Sequence, residues 1–303
     1  VLELWLPIAI AAAFAQNARS ALQRTLRSTL SNSGATYVRF AFGLLFAFVY
    51  LFCLIAYQDQ PLPQPGRSFF LYASLGGLAQ ILGTAALLRA VSLHSFAVGT
   101  AYSKTEPLQA AGFGFLLLGE SVNAMGTLAL LISLTGVVVL ARARSEFSLR
   151  TLSAQLLDRG AWTGLVSGAL FGIAAVCYRG ASLSLKTGGD VFLRAAFTLA
   201  CVILFQTIVM TLYLWLREPG ELGRVAKTWK PASLVGAFGA MASVGWFTAM
   251  TLENAAYVRA VGQLELVFAL GTSWLFFRER VLPLELAGIA GVVGGVLLLV
   301  LRG

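Results

Sequence analysis

Lys104, Glu106 and Pro107 fall near the middle of the stretch Ser95–Glu120, SFAVGTAYSKTEPLQAAGFGFLLLGE, which is otherwise apolar and long enough to cross a bilayer. Counted from Ser95, Lys104 lies roughly 13 to 14 Å along a helix, in a crossing of about 30 Å, so neither charge reaches water easily by snorkelling. Charges at that depth must be paired, solvated or used. A second stretch, Asn254–Glu279, carries Glu265, and a shift of 159 residues lays Glu106 on Glu265, Glu120 on Glu279 and Gly136 on Gly295. Two carboxylates at equivalent depths in a duplicated chain suit proton coupling, because removal from water works against a carboxylate's charged form. The structural reading beside it is an ion pair or a hydrogen bond between helices.

Lys104 and Glu106 point about 200° apart on one helix, so Lys104 needs another partner: a substrate, or a salt bridge to a neighbour such as the helix of Glu265. That helix carries no neighbouring lysine, which makes Glu265 the preferred coupling carboxylate and leaves Glu106 the larger part in binding. Pro107 frees the Ser103 carbonyl from helical bonding, and Gly99 and Gly112 flank the expected kink, a combination that often lines a cavity. Tyr102, Trp246 and Tyr257 are candidate cavity-lining aromatics, with Phe247 and Trp274 beside them, although aromatics in such a chain mostly pack. Arg39 and Arg194, each near a helix start, are candidate anion contacts, with headgroup phosphate the plainer ligand. Arg19 and Arg179 invite the same reading. These four with Lys104 make five cations against two central carboxylates, leaving room for an anionic solute. His94, the only histidine, reads as a solvated loop residue.

The elements that position these residues follow from composition. Of 303 residues 58% are hydrophobic and 12% charged, with mean hydropathy +0.81, the signature of a polytopic membrane protein. Uninterrupted apolar runs of about 20 residues exclude an outer-membrane barrel and call for an all-α bundle. The net charge of +9 is scattered through short loops, which argues against nucleic acid as a partner. Cys53, Cys177 and Cys201 all fall in apolar runs and read as small buried hydrophobes, without a disulfide or metal site. No Walker loop, GxSxG, HExxH or paired-Cys pattern is present, so neither an enzyme nor a cofactor is expected, and direct ATP drive is excluded.

Ten transmembrane helices are expected, at about 4–22, 35–57, 68–91, 95–120, 122–141, 161–183, 191–216, 231–252, 254–279 and 284–301. Glu3 alone precedes the first run, so no cleaved signal is expected there. Segment 142–159 is polar, with Phe147, Leu149, Leu152, Leu156 and Leu157 spaced for an amphipathic headgroup helix, and divides a first five-helix repeat, 1–141, from a second, 160–303. Gly164, Gly168 and Gly172 form a doubled GxxxG ridge for close helix approach. Arg19 matches Arg179, and Arg39 in YVRFAF matches Arg194 in FLRAAF. An odd number of helices per repeat inverts the second relative to the first. The loops after the first, fifth, seventh and ninth helices hold twelve Lys and Arg, those on the other side three to five, which puts the first set in the cytoplasm and both termini outside.

The sequence resembles the drug/metabolite transporter superfamily, and within it the EamA-type ten-helix members. The likeness rests on LLLGE at 116–120, FFRER at 276–280, the Arg39 and Arg194 helix starts and the glycine-rich fifth helices. The centre Ser103-Lys104-Thr105-Glu106-Pro107 is more charged than such chains usually show. The resemblance implies a secondary transporter of a small organic solute, with a central cavity between the halves and cytoplasmic termini. A lipid-carrier flippase is the alternative. The expected setting is a bacterial inner membrane, with the bilayer and a small solute as partners, and a homodimer compatible with both.

Overall fold

The long apolar runs form helices because a chain surrounded by lipid must satisfy its backbone groups internally. A computed structural model describes residues 4–26, 28–58, 61–93, 101–143, 159–185, 190–277 and 282–301, and no strand occurs among them. Seven helices are long and apolar enough to cross a membrane: α2 (Asn32–Gln58), α3 (Arg67–Leu93), α5 (Ala124–Ala143), α6 (Arg159–Leu183), α7 (Val191–Arg217), α9 (Trp229–Leu252) and α12 (Pro283–Leu301). Between them lie α1 (Trp5–Leu26), α4 (Glu106–Leu118), α8 (Glu221–Lys227), α10 (Ala255–Val261) and α11 (Leu264–Phe277). The expected amphipathic segment, at residues 144–158, lies outside the described residues. So do His94, Gly99, Lys186, Arg278 and Arg280.

Three expected features are corrected. The fourth and ninth of the expected segments are broken helices, as described below. The basic connection after Arg217 contains a helix, α8, opened by Gly220 with φ +84°. Cys53 is exposed on the outside of the bundle, while Cys177 is buried, and all three cysteines are free thiols.

The chain forms two compact units, each built from both sequence halves: Val1–Leu78 with Cys177–Leu252, and Ala79–Val176 with Glu253–Gly303. In the first, α1 packs on α9, where a Cβ at Gly245 would stand 2.7 Å from Ala12 Cβ, and Trp246 Nε1 donates to Gln16 Oε1 at 2.9 Å. Helix α2 packs on α7 through Leu51, Leu193, Ala196 and Ala200. Tyr178 Oη donates to the Gly76 carbonyl at 3.1 Å, and Gln206 Nε2 donates to that hydroxyl and to the Gly77 carbonyl, both at 3.2 Å. Helix α8 clamps the start of α2: Ser31 N–H donates to Glu221 Oε1 at 2.7 Å, and Ser31 Oγ donates to Glu218 Oε2 at 2.5 Å. Burial pushes the Glu221 carboxyl up, but the Ser31 and Arg224 donors outweigh it and hold the group below its ordinary value.

In the second unit α5 and α12 meet without side chains between them: a Cβ at Gly136 would stand 2.7 Å from the Gly288 carbonyl oxygen. Glu285, 1% exposed, reaches back to the Leu282 N–H at 2.8 Å, closing the start of α12 beside Pro283. Leu45, Phe52, Leu71, Phe115, Leu116 and Trp215 point outward, a surface that only lipid solvates well.

Candidate functional site

The fourth expected segment is interrupted after the first three of its described residues. Residues 101–103 are helical, Lys104 and Thr105 turn, and α4 restarts at Glu106. Pro107 has no N–H to offer the Ser103 carbonyl, and the turn closes instead through Lys104 N–H to Ala101 O and Thr105 N–H to Tyr102 O, both 3.2 Å. The ridge of α6 makes room for this backbone: a Cβ at Gly168 would stand 2.8 Å from the Ser103 carbonyl oxygen, and one at Gly172 3.1 Å from Ala110 N. Helix α4 ends at Leu118, with Gly119 at φ +69° and the Glu120 N–H returning to Gly114 O at 3.2 Å.

The ninth expected segment breaks at the equivalent place. Helix α10 ends at Val261, Gly262 and Gln263 turn, and α11 restarts at Leu264. Glu106 and Glu265 therefore each occupy the first turn of a restarting half-helix, where the positive end of the helix dipole favours a carboxylate. Both breaks belong to the second compact unit.

The acids are paired crosswise. Arg259, on α10, grips Glu106 with a fork in which Nε donates to Oε1 and Nη2 donates to Oε2 at 2.8 Å. Lys104 Nζ stands 3.7 Å from Glu265 Oε2, longer than a good hydrogen bond. Each restart thus has its acid matched by a cation from the other broken segment, Arg259 before its break and Lys104 in its turn. The helix of Glu265 carries no lysine of its own, as its sequence shows, and the cation comes from the other broken helix, the neighbouring-helix salt bridge that was one of the two readings of Lys104. The two pairs differ in burial, since the Glu106 side chain is 4% exposed and that of Glu265 19%. Beside Lys104 a narrow cleft is lined by Pro107, Leu108, Leu130, Ser133 and Gln263. Ser133 Oγ and Gln263 Oε1, both buried, have no hydrogen-bond partner among the described residues.

Of the candidate cavity-lining residues, Pro107 borders this cleft. Tyr102 packs on Ala161 and Leu165, and Tyr257 lies where Gly126 lacks a side chain, a Cβ there falling 2.6 Å from its Cε1. Trp246 belongs to the other unit, bonded to Gln16, and Trp274 is 57% exposed. Arg39 and Arg194 do not converge. Leu51 meets Leu193 and Tyr37 meets Thr211, so α2 and α7 run antiparallel with the two arginines at opposite ends. Arg179 donates to the carbonyls of Met250 at 2.7 Å and Thr251 at 3.4 Å, at the C-terminal end of α9. Arg259 escaped the sequence reading because a continuous helix from Asn254 places it five residues from an end. An arginine inside the apolar run AAYVRAVG was the signal available.

Helices of crossing length and an apolar exposed surface define an integral membrane protein. A family model, that of the EamA-like transporter family, matches residues 3–142 and 158–301, and the chain belongs to that family. One solved crystal structure is similar at TM-score 0.71 and 17% identity over 98% of this chain and 97% of the other, a likeness of fold. No curated protein matches the sequence.

Proposed function

We propose that the chain is a gradient-driven transporter of a small organic solute, with Glu265 as the coupling carboxylate. The observation that carries this reading is the crossed pairing at the two helix breaks. Restarting helices with charged residues at the break are the usual way for a membrane transporter to build a site within the bilayer. In this reading ten crossings form two inverted five-helix repeats, 1–141 and 160–303, joined by 142–159, in a bacterial inner membrane. The chain alternates between two facings.

Glu265 is preferred over Glu106 for a reason different from the one its sequence offered. Its long contact to Lys104 is easier to give up than the Arg259 fork, and its greater exposure admits a proton. Protonation cancels the attraction between Glu265 and Lys104, and Ser133 Oγ and Gln263 Oε1 then offer the ammonium a second seat across the cleft. A proton shifts the equilibrium between facings only because the two seats differ in their affinity for it. Lys104 and Glu106 hold the solute-facing geometry.

The test begins with a thermal-shift screen over amino acids, organic anions, amines and nucleosides, since binding stabilises by mass action. The stabilising solute is then followed in proteoliposomes carrying a pH gradient. Glu265→Gln is expected to abolish gradient-driven accumulation while leaving solute exchange in place. An unchanged accumulation rate would make the carboxylate structural and remove the coupling assignment.

A further inference from the structure

On the outside of the first compact unit, α1 and α9 leave a groove beside their crossing. Gly245 brings the two helices together against Ala12, and the groove, of about 320 Å³, is lined by Ile8, Ala12 and Ala15 of α1 and by Met241, Val244 and Gly245 of α9. That volume is roughly ten times the share of one water molecule in the liquid, about 30 Å³, yet every lining residue is apolar and offers water no partner. Ala11, Phe14 and Met241 on its rim are exposed, so the groove opens onto the surface that faces hydrocarbon.

Helix α9 fixes its height in the bilayer. Lys230 is the second residue of α9 and Met241 lies three turns further on, so the two share a face about 16 Å apart, with exposed Leu234 between them. Trp229, 57% exposed, and Trp215, 68% exposed, stand at the same end of the α7 and α9 helices, the level of a membrane–water interface. Lys230 Nζ lies 5.7 Å from the centre of the Trp229 ring. Half of a hydrocarbon core of about 30 Å is about 15 Å, which puts Lys230 among the headgroups and the groove near the bilayer's middle. Arg217 and Lys227, in the connection into α9, are exposed as well, and among the described residues no carboxylate pairs with Arg217, Lys227 or Lys230. The two acids of that connection are turned inward: Glu218 takes the Ser31 hydroxyl, and Glu221 is held by Ser31 and Arg224.

We propose that this face of α9, with α1, binds one anionic phospholipid, its phosphate at Lys230 and one acyl chain running past Leu234 into the groove. The headgroup is anionic because the exposed, unpaired charges at its level are cations, and a lysine near an anionic lipid surface gains roughly fivefold in affinity. A lipid, rather than a free phosphate, fits because the cation and the apolar groove lie on one helix face, separated by the depth of one leaflet. The groove lies on the outer surface, away from the helix breaks, so the site stands whether or not the chain carries a solute.

The purified full chain, stripped of lipid in detergent, is titrated with dioleoyl phosphatidylglycerol or dioleoyl phosphatidylcholine, with native mass spectrometry and melting temperature as readouts. A phosphatidylglycerol carrying a diazirine near the end of one chain then maps the contact by crosslinking. Phosphatidylglycerol is expected to be retained at least fivefold more tightly, with crosslinks concentrated in residues 8–15 and 241–245. Lys230→Gln should cut that preference several-fold and leave the crosslinked positions unchanged. Ala11→Phe, which fills the groove from an exposed position, should remove the crosslinks; if it fails to fold, Met241→Trp fills the groove from the facing helix. Arg67→Gln, an exposed cation at the start of α3, should change neither readout. Equal retention of the two lipids, or a preference unaltered in Lys230→Gln, overturns the headgroup assignment, and so does displacement of the lipid by inorganic phosphate. Crosslinks spread along the helices, or unchanged by the groove-filling variant, overturn the groove. A dimer that the same variant dissolves gives the groove to a second copy of the chain and overturns the lipid.

Discussion

At the scale of single residues, the two crossed pairs answer removal of a cation differently. Arg259→Ala strands the buried Glu106 carboxylate, and breaking a buried pair from one side costs about 3–5 kcal/mol. Lys104→Ala relieves a longer and more exposed contact and is expected to cost about 1 kcal/mol. Thermal unfolding in detergent should rank them in that order. Equal losses would mean that the fork is no stronger than the longer contact. Lys104, Glu106 and Glu265 were legible in the sequence because a charge in an apolar run is conspicuous and the duplication places the acids at one depth. A bridge from Lys104 to the helix of Glu265 was one of the readings open to the sequence, whereas Arg259 as the partner of Glu106 was not legible, because that pairing depends on helices meeting in space.

Among the elements, the long helices could be read to within a few residues from their apolar runs, whereas the breaks could not. Twenty-six apolar residues read as one continuous crossing, and in the ninth segment Gly262-Gln263 carries no proline to mark the turn. Helix α8 was missed because seven residues between two basic clusters give no period to read. Its clamp makes a pH prediction. The folded Glu221 carboxyl lies below the ordinary 4.5, so its ionised form adds stability that is complete above that value. That stability is lost as pH falls through the lowered value. Unfolding followed between pH 7 and 3 should show this acid-side loss in the parent chain and a smaller one in Glu221→Gln, which should itself be less stable at pH 7 by about 1–3 kcal/mol. Identical profiles would dismiss the clamp. The glycines separate as clearly. Gly136→Ala drives a methyl into the backbone of α12 and is expected to cost about 1–3 kcal/mol, while Gly112→Ala on α4 meets nothing within 4 Å and should be neutral or stabilising by up to about 1 kcal/mol. Melting temperatures of the two variants decide it.

For the whole molecule, the all-α membrane class followed from composition, whereas the exchange of helices between sequence halves did not, since nothing in a linear repeat says which copy a helix packs against. The ends of α1 and α7 lie together, joined by Ser31 with Glu218 and Glu221, so two of the most basic connections share one face of their unit. The charge rule predicts that this face is the cytoplasmic one. In a cysteine-free background, a cysteine at Lys227 should be shielded from a membrane-impermeant maleimide in intact cells and one at Leu62 labelled, and the reverse pattern would support cytoplasmic termini instead. The pairing of α1 with α9 also sets a clock. Gln16 leaves the ribosome 230 residues before the Trp246 to which it bonds, and at roughly 5–20 residues per second that is a wait of about 10–50 s. For that interval the polar end of α1, with Gln16, Asn17 and Arg19, must be sheltered by the insertion machinery or by transient neighbours, so the speed of translation sets how long a half-made bundle is exposed to degradation.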